Sequence, residues 1–271
     1  MNSELIHKVS DILLEVSEGV ILPSFQEGVA TASWEKTPGE YVTRVDQLAE
    51  GRISARLGEL LPGSVVVGEE ACAARPQLLS HLHDEVAWLL DPLDGTRNFA
   101  SGHEPFAMML ALLRQGRAVA AWILDPLTNR LIVAEDGAGA WRGEDRLRCR
   151  QQSPTLRAAD AIVSDAFVQP AEQGGLAGFK AALGNVRPTR RCAGAEYPLL
   201  ALGDLDLILY WRTLPWDHAA GTLVVTEAGA MVRQLDGSAY DPARSKPGLV
   251  SAANEDLMKQ LLSSRPCQGD G

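Results

Sequence analysis

Leu5, Ile6, Val9, Ile12, Leu13, Val16 and Val20 recur three and four residues apart with charged residues between them, the spacing of an amphipathic helix. Pro23 follows soon after the end of that helix. From Gly28 to Glu40 small residues and a Pro-Gly turn show no period, which reads as a mobile surface loop. A second helix is predicted from Asp46, where an N-cap would sit, to about Leu61, with Leu48, Ile53, Leu57, Leu60 and Leu61 on its apolar side and Pro62-Gly63 as its stop. "SVVVGEE" (64–70) and "VAWLLDP" (86–92) then read as two strands that both end in carboxylates. Residues 106–142 are apolar runs broken at Gln115-Gly116, Thr128-Asn129 and Asp136-Gly137, an antiparallel meander.

A second half starts at "DAIVSDAF" (160–167), followed by a helical "GAEYPLLALGDLD" (194–206) and a strand "LILYW" (207–211). Ala219, Leu223 and Thr226 have helical spacing up to Gly229, and "MVRQLDG" and "GLVSAAN" are strand-like. Asn254 caps a last helix, with Glu255 and Asp256 in its first turn where the helix dipole favours negative charge. Strands followed by helices, together with a meander, predict a mixed, layered α+β fold rather than a doubly wound parallel sheet.

At 271 residues and 46% hydrophobic, the chain has enough apolar material for a substantial core in one large domain or two joined halves. Its net charge of -10 argues against sequence-independent nucleic-acid binding, which needs clustered cations. An anionic substrate would need local help, such as metal ions. Cys72, Cys149, Cys192 and Cys267 are scattered with no C-x-x-C pair, as expected for reduced thiols in a cytoplasmic protein. Charges interrupt the first helix and no run of about 18 apolar residues occurs, so no leader or membrane span is expected. His7, His81, His83 and His103 show no metal-binding spacing, and the six Trp residues are dispersed rather than set as a stacking platform for bases.

The chemistry lies in carboxylates at element ends: Asp46, Glu69, Asp91, Asp94 and Asp217. Taken alone, Asp46 and Asp217 read better as helix caps than as ligands, and Glu69-Glu70 reads as a solvated strand end. The run Asp-Pro-Leu-Asp-Gly-Thr at 91–96 is more specific, because it joins two strand-end acids to a rigid Pro, a Gly that permits close backbone approach, and a hydroxyl. Five convergent carboxylates repel one another unless divalent cations sit among them, and all-oxygen ligands suit Mg²⁺ or Mn²⁺.

"GEE" (68–70), "DPLDGTRNF" (91–99) and "WDHAAGTLVVTEAGA" (216–230), in that order and spacing and with "KTPGEYVTRVD" (36–46) before them, resemble the signatures of the inositol monophosphatase family of lithium-sensitive, metal-dependent phosphatases. The resemblance implies a layered α-β-α-β-α sandwich in one compact unit. Residues 1–150 would form an α+β half carrying most metal ligands, and 151–271 an α/β half carrying Asp217 and the leaving-group pocket. Glu69, Asp91, the carbonyl of Leu93, Asp94 and Asp217 match the family's ligands for two or three Mg²⁺. Asp46 and Thr96 match the pair that activates the attacking water, with Glu69 assisting; the amides of Gly95 and Thr96 match the phosphate cradle; and Lys36 falls in the matched lid.

On the alcohol side, Gly194, Ala195, Glu196, Tyr210 and Asp217 are the expected substrate contacts. Here the chain departs from the family: Tyr210 or Trp211 stands where inositol-specific members place an acid, Ala195-Glu196 replaces a Gly-Thr-Ala type sequence, and Arg97 replaces a small polar residue. Glu196 reads equally as a hydroxyl or amine contact and as a helix-start charge facing solvent, whereas His218 reads as a hydrogen-bonded structural histidine. The resemblance thus implies a homodimeric Mg²⁺-dependent phosphomonoesterase for an inositol or sugar phosphate. Histidinol phosphate, fructose bisphosphate and 3'-phosphoadenosine 5'-phosphate are the alternatives. An interaction protein that keeps the fold but binds a macromolecular partner, as some bacterial relatives do in transcription, is the rival from another class.

Overall fold

The computed structural model describes residues 3–27, 33–37, 40–152, 154–165, 168, 173–244 and 246–263. The chain opens with α1 (Ser3–Val16), continues through a π-helical turn, Ser17–Ile21, and runs into α2 (Leu22–Gln26) with Pro23 in its first turn. Pro23 therefore begins a helical segment instead of following the end of one; an N-terminal turn tolerates it because the missing N–H would have no partner there. β1 (Ser33–Thr37) pairs antiparallel with β2 (Glu40–Thr43), so the stretch read as a loop contains a hairpin strand; its residues 28–32 and 38–39 lie outside the described set.

α3 (Arg44–Leu60) starts two residues earlier than expected, and its N-cap is Thr43, not Asp46. Asp46 is the fourth member of a capping box: the Thr43 hydroxyl accepts from the Asp46 N–H while the Asp46 carboxylate accepts from the Thr43 N–H. β3 (Val65–Gly68) is followed at once by α4 (Glu69–Ala74), which makes Glu69 and Glu70 first-turn helix residues rather than the end of a strand. A 3₁₀ segment, Pro76–His83, carries His81 and His83; His81 Nδ1 lies 2.7 Å from Asp84 at the surface.

β4 (Ala87–Asp94) and the short α5 (Thr96–Ala100) lead to the expected meander, β5 (Ala107–Arg114), β6 (Arg117–Asp125), β7 (Arg130–Glu135) and β8 (Gly139–Arg142), with β9 (Asp145–Arg146) at its end. These strands form one seven-stranded sheet in the order β3-β4-β5-β6-β7-β8-β9, parallel only between β3 and β4. The second half supplies β10 (Asp160–Ser164), α6 (Gln173–Ala182), β11 (Asn185–Arg187), α7 (Ala193–Ala201), β12 (Leu207–Tyr210), α8 (Pro215–Glu227), β13 (Met231–Gln234), β14 (Leu249–Ala252) and α9 (Glu255–Ser263). Its sheet has the order β11-β10-β12-β14-β13. Asn254 caps α9 through Leu257 N–H at 3.0 Å, as expected.

Strand alternation sorts the core. Trp88, Leu90, Met108, Leu110, Leu112, Trp122 and Leu124 face Val9, Leu13, Ala49, Ile53 and Leu57 of α1 and α3. Leu89, Met109, Ala111 and Ile123 face the other way, onto Tyr197 and Leu200 of α7 and Leu223 and Val224 of α8. Those helices also meet Ile162, Ile208 and Leu249 of the second sheet, whose far side packs Val163, Leu209 and Val250 against Leu176, Leu257 and Leu261 of α6 and α9. The result is five layers, α-β-α-β-α, with α7 and α8 as the filling between two sheets. Cys72, Cys149 and Cys192 are free and buried; Cys267 lies outside the described residues. No helix among the described residues is long and apolar enough to cross a membrane.

Gly221 shows how tightly that middle layer is packed. A Cβ there would come within 2.0–2.4 Å of three ring carbons of the fully buried Tyr197 on α7. Gly221→Ala should lower stability by about 1–3 kcal/mol through overpacking, seen as a reduced urea midpoint at unchanged slope; an unchanged midpoint would show that α7 and α8 do not meet as described.

Candidate active site

The two acids of the 91–94 run are brought together by a break in β4. In a regular strand, residues three apart face opposite ways. Between Asp91, opposite Met109, and Asp94, opposite Ala107, β4 holds one residue more than β5. That bulge flips the alternation, so Asp91 and Asp94 both lie over the α7–α8 side. Pro92 occupies the interrupted ladder, where its missing N–H costs little. Asp91 Oδ1 accepts from the Leu93 N–H at 3.0 Å, and Asp94 Oδ2 accepts from the Gly194 N–H at 2.6 Å. Gly194 has to be glycine, since a Cβ would run into Ala107 on β5.

Gly95 follows with φ +85°, a left-handed turn that only glycine adopts easily, and N-caps α5. The turn places the Thr96 hydroxyl 3.0 Å from Asp46 Oδ1 and 2.9 Å from the Leu93 carbonyl. Having one proton, the hydroxyl serves one of these acceptors at a time. Asp46 is 1% exposed and is also held by the Thr43 N–H at 2.8 Å and by a short bond from the Thr43 hydroxyl.

Glu69, Asp91, Asp94 and Asp217 line one cavity of about 350 Å³, together with Gly95, Thr96, Glu196 and Tyr210. Asp46 and Leu93 stand just behind its wall, joined to it through Thr96, and Gly194 is joined through Asp94. Ala195, in the first turn of α7, is half-buried against the core and is not among the cavity's lining residues. Lys36 lies in β1, but its side chain is outside the described set. The sequence reading passed over Ser164, Asp165, Thr189, Arg191, Cys192 and Arg212, which also line the cavity. Ser164, Asp165 and Thr189 carry no local signal of a site, whereas Arg191 and Cys192 stand directly before the Ala-Gly-Ala-Glu run and Arg212 stands between Tyr210 and the Trp-Asp of the last signature, so that only their side-chain roles went unread.

Electrostatics mark the cavity floor. Burial raises the Asp91 carboxyl well above the usual range, and the charges of Glu69, Asp94 and Asp217 raise it further. Asp94 is pushed up to about 7 by burial, against the lowering effect of the Gly194 N–H. Asp46 reaches about 6, again chiefly through burial. Among the described residues no three His, Cys, Asp or Glu side chains already enclose an ion position. The donor set nevertheless fits a hard divalent cation: it is all oxygen, buried at Asp91 and half-buried at Glu69, Asp94 and Asp217, and mutually repelling at Asp91, which a cation would relieve.

Glu196, another lining residue, is fully buried, which excludes the solvent-facing reading. Its carboxylate accepts from the Thr189 hydroxyl at 2.7 Å, the Arg190 N–H at 2.6 Å and the Tyr210 hydroxyl at 2.7 Å. Burial still raises its pKa despite those bonds. His218 is the structural histidine expected: Nε2 donates to the Arg212 carbonyl at 3.2 Å, Nδ1 accepts from the Tyr197 hydroxyl at 3.2 Å, and burial holds the ring neutral with a pKa of about 4.

The model of the inositol monophosphatase family matches residues 3–269. An inositol-1-monophosphatase of Mesorhizobium japonicum is 34% identical over 237 residues, 84% of each chain. The Nus factor SuhB of Haemophilus influenzae is 30% identical over 257 residues, 92% of each chain. The crystal structure of the extragenic suppressor protein suhB from Bartonella henselae superposes with a TM-score of 0.81 at 25% identity, covering 99% of both chains. The inositol monophosphatase-II structure from Staphylococcus aureus, at 23% identity and a TM-score of 0.79 over 96% and 92% of the two chains, shares the fold. With the match spanning both sheets, the middle helices and every segment that lines the cavity, the chain belongs to the inositol monophosphatase family.

Proposed function

We propose that the protein is a Mg²⁺-dependent phosphomonoesterase acting on a small hydroxylated metabolite, with an inositol phosphate or a sugar phosphate as the first class of substrate. The observation that carries this reading is the Thr96–Asp46 pair standing against a wall of carboxylates, with Asp91 buried and Glu69, Asp94 and Asp217 half-buried around the cavity. Glu69, Asp91, the Leu93 carbonyl, Asp94 and Asp217 would hold Mg²⁺ or Mn²⁺. When bound, the cation supplies Lewis-acid stabilisation of charge on the phosphoryl oxygens and acidifies a ligated water.

The protein's own groups would orient and deprotonate a water in the cavity. When Thr96 donates to Asp46, its oxygen lone pairs are left to accept a proton from a water in the cavity. The water O–H breaks as Thr96 takes this proton and passes its own to Asp46, whose carboxyl, near 6, is a competent acceptor close to neutrality. The Gly95 and Thr96 amides, at the start of α5, would bind the phosphate oxygens. Glu196 and Tyr210 are bonded to each other, so they shape the alcohol side of the cavity as one rigid unit. That wall differs from an acid offered to ring hydroxyls, and it keeps histidinol phosphate, fructose bisphosphate and 3'-phosphoadenosine 5'-phosphate as substrates to be tried beside inositol phosphate. A cytoplasmic setting and a homodimer belong to the same proposal, supported by the reduced thiols and by family habit.

A second reading, binding of a macromolecular partner in a regulatory role, is favoured by the relatives named Nus factor SuhB. The deciding experiment is Mg²⁺-dependent phosphate release from a panel of these four monoesters. A strong hit names the substrate, whereas silence from folded protein moves the reading to partner binding.

Asp91→Asn and Asp46→Asn should each lower kcat by at least about 10²-fold with unchanged circular dichroism; normal turnover in both would rule out this mechanism. Chelation with EDTA should abolish activity and added Mg²⁺ restore it. At about 100 times its Kd the ion should also stabilise the fold by about 2.7 kcal/mol, read as a raised denaturation midpoint even before a substrate is known.

A further inference from the structure

Glu50 lies one helical turn beyond Asp46 on α3 and, like it, is buried, 6% exposed. Its carboxylate leaves its own helix and grips the start of α4: Oε2 accepts from the Glu70 N–H and Oε1 from the Ala71 N–H, both at 2.8 Å. These are amides that a helix N-cap side chain would normally satisfy. The N-cap of α4 is Gly68, which has no side chain to do so. It also cannot have one, because a Cβ at position 68 would collide with the Glu50 carboxylate. The residue between the cap and the gripped amides is Glu69, a cavity acid whose charge acts on both Asp46 and Asp91.

We propose that Glu50 is a positioning residue for the metal site: by capping α4 from α3 it fixes Glu69 relative to Asp46, so that the first carboxylate ligand and the water-activating pair stay in register. The inference rests on the phosphatase reading for its catalytic meaning, but not for its geometry. One helix sets both parts. Asp46 and Glu50 are separated by four residues, so any shift of α3 carries Asp46 and the backbone under Glu69 together. A charge-assisted, two-pronged contact of this kind holds backbone more firmly than a neutral cap.

The test uses the full chain and the metal alone. Glu50→Gln keeps the side-chain shape but turns an amide NH₂ toward a backbone N–H; Gly68→Ala leaves the carboxylate charged and pushes it off its seat. Glu227→Gln is the structural control, since Glu227 likewise accepts two backbone N–H groups, from Gly137 at 2.9 Å and Gly139 at 2.8 Å, at the far end of α8 from Asp217. Mn²⁺ binding is followed by the paramagnetic resonance of the free ion, beside metal-free thermal melts and the Mg²⁺ dependence of phosphate release. Both Glu50→Gln and Gly68→Ala are expected to raise the Mn²⁺ Kd roughly 10–100-fold. Glu227→Gln is expected to melt earlier with wild-type Mn²⁺ affinity. A folded Glu50→Gln protein with wild-type Mn²⁺ affinity overturns the proposal; if that variant does not fold, Gly68→Ala decides it on the same readout. Wild-type protein that binds no Mn²⁺ also overturns it. Wild-type protein that binds Mn²⁺ yet releases no phosphate from the panel overturns the phosphatase reading and leaves the positioning role standing.

Discussion

The extra residue in β4 is the constraint on which the cavity depends. A buried strand normally shows one apolar face to each layer, and β4 does so through Trp88, Leu89 and Leu90. One inserted position then lets Asp91 and Asp94 share a face while Leu90 and Leu93 share the other. The apolar packing against α1 and α3 is thereby kept intact under a site that concentrates charge. Without the insertion one of the two acids would point into the layer built from Val9, Ile53 and Trp122, where a carboxylate has no partner and a high desolvation cost.

Around that point the structure spends its hydrogen bonds on orientation. Asp46, Asp91, Asp94 and Glu196 each accept from a backbone N–H or a hydroxyl whose own position is set by a turn, a cap or a helix start. The backbone thus fixes where these acids stand, and the repulsion that Glu69, Asp94 and Asp217 exert on Asp91 favours an added positive charge among them. Such arrangements sacrifice stability at one place and recover it in the apolar layers on either side.

Much of this was legible in the chain, because the signals were local. The helical period of α1 and α3, the turn dipeptides of the meander and the Asp-Pro-Leu-Asp-Gly-Thr run all act within a few residues. Asp46 was misplaced as a cap because Thr43, the true cap, sits inside a β-branched stretch that reads as strand. Glu69 was taken for a strand end because α4 is only six residues long, too short for a period to show. The burial of Glu196 was invisible because its partners Thr189 and Tyr210 are not helical neighbours; they meet only once β12 and α7 are packed. Arg191 and Arg212 reach the cavity by the same long-range route.

The placement of α8 between the two sheets has a consequence for how the molecule is made. Asp217 enters on that helix, late in the chain, and joins a wall to which β4 gives Asp91 and Asp94 and the start of α4 gives Glu69. Contacts so distant in sequence are among the slowest to form, since loop closure must precede their reward. Part of the electrostatic conflict, that between Asp217 and Asp91, therefore exists only where α8 is seated against the first sheet. A cation would bind the finished arrangement and not the nascent one, so affinity for the ion reports whether the middle of the protein has closed.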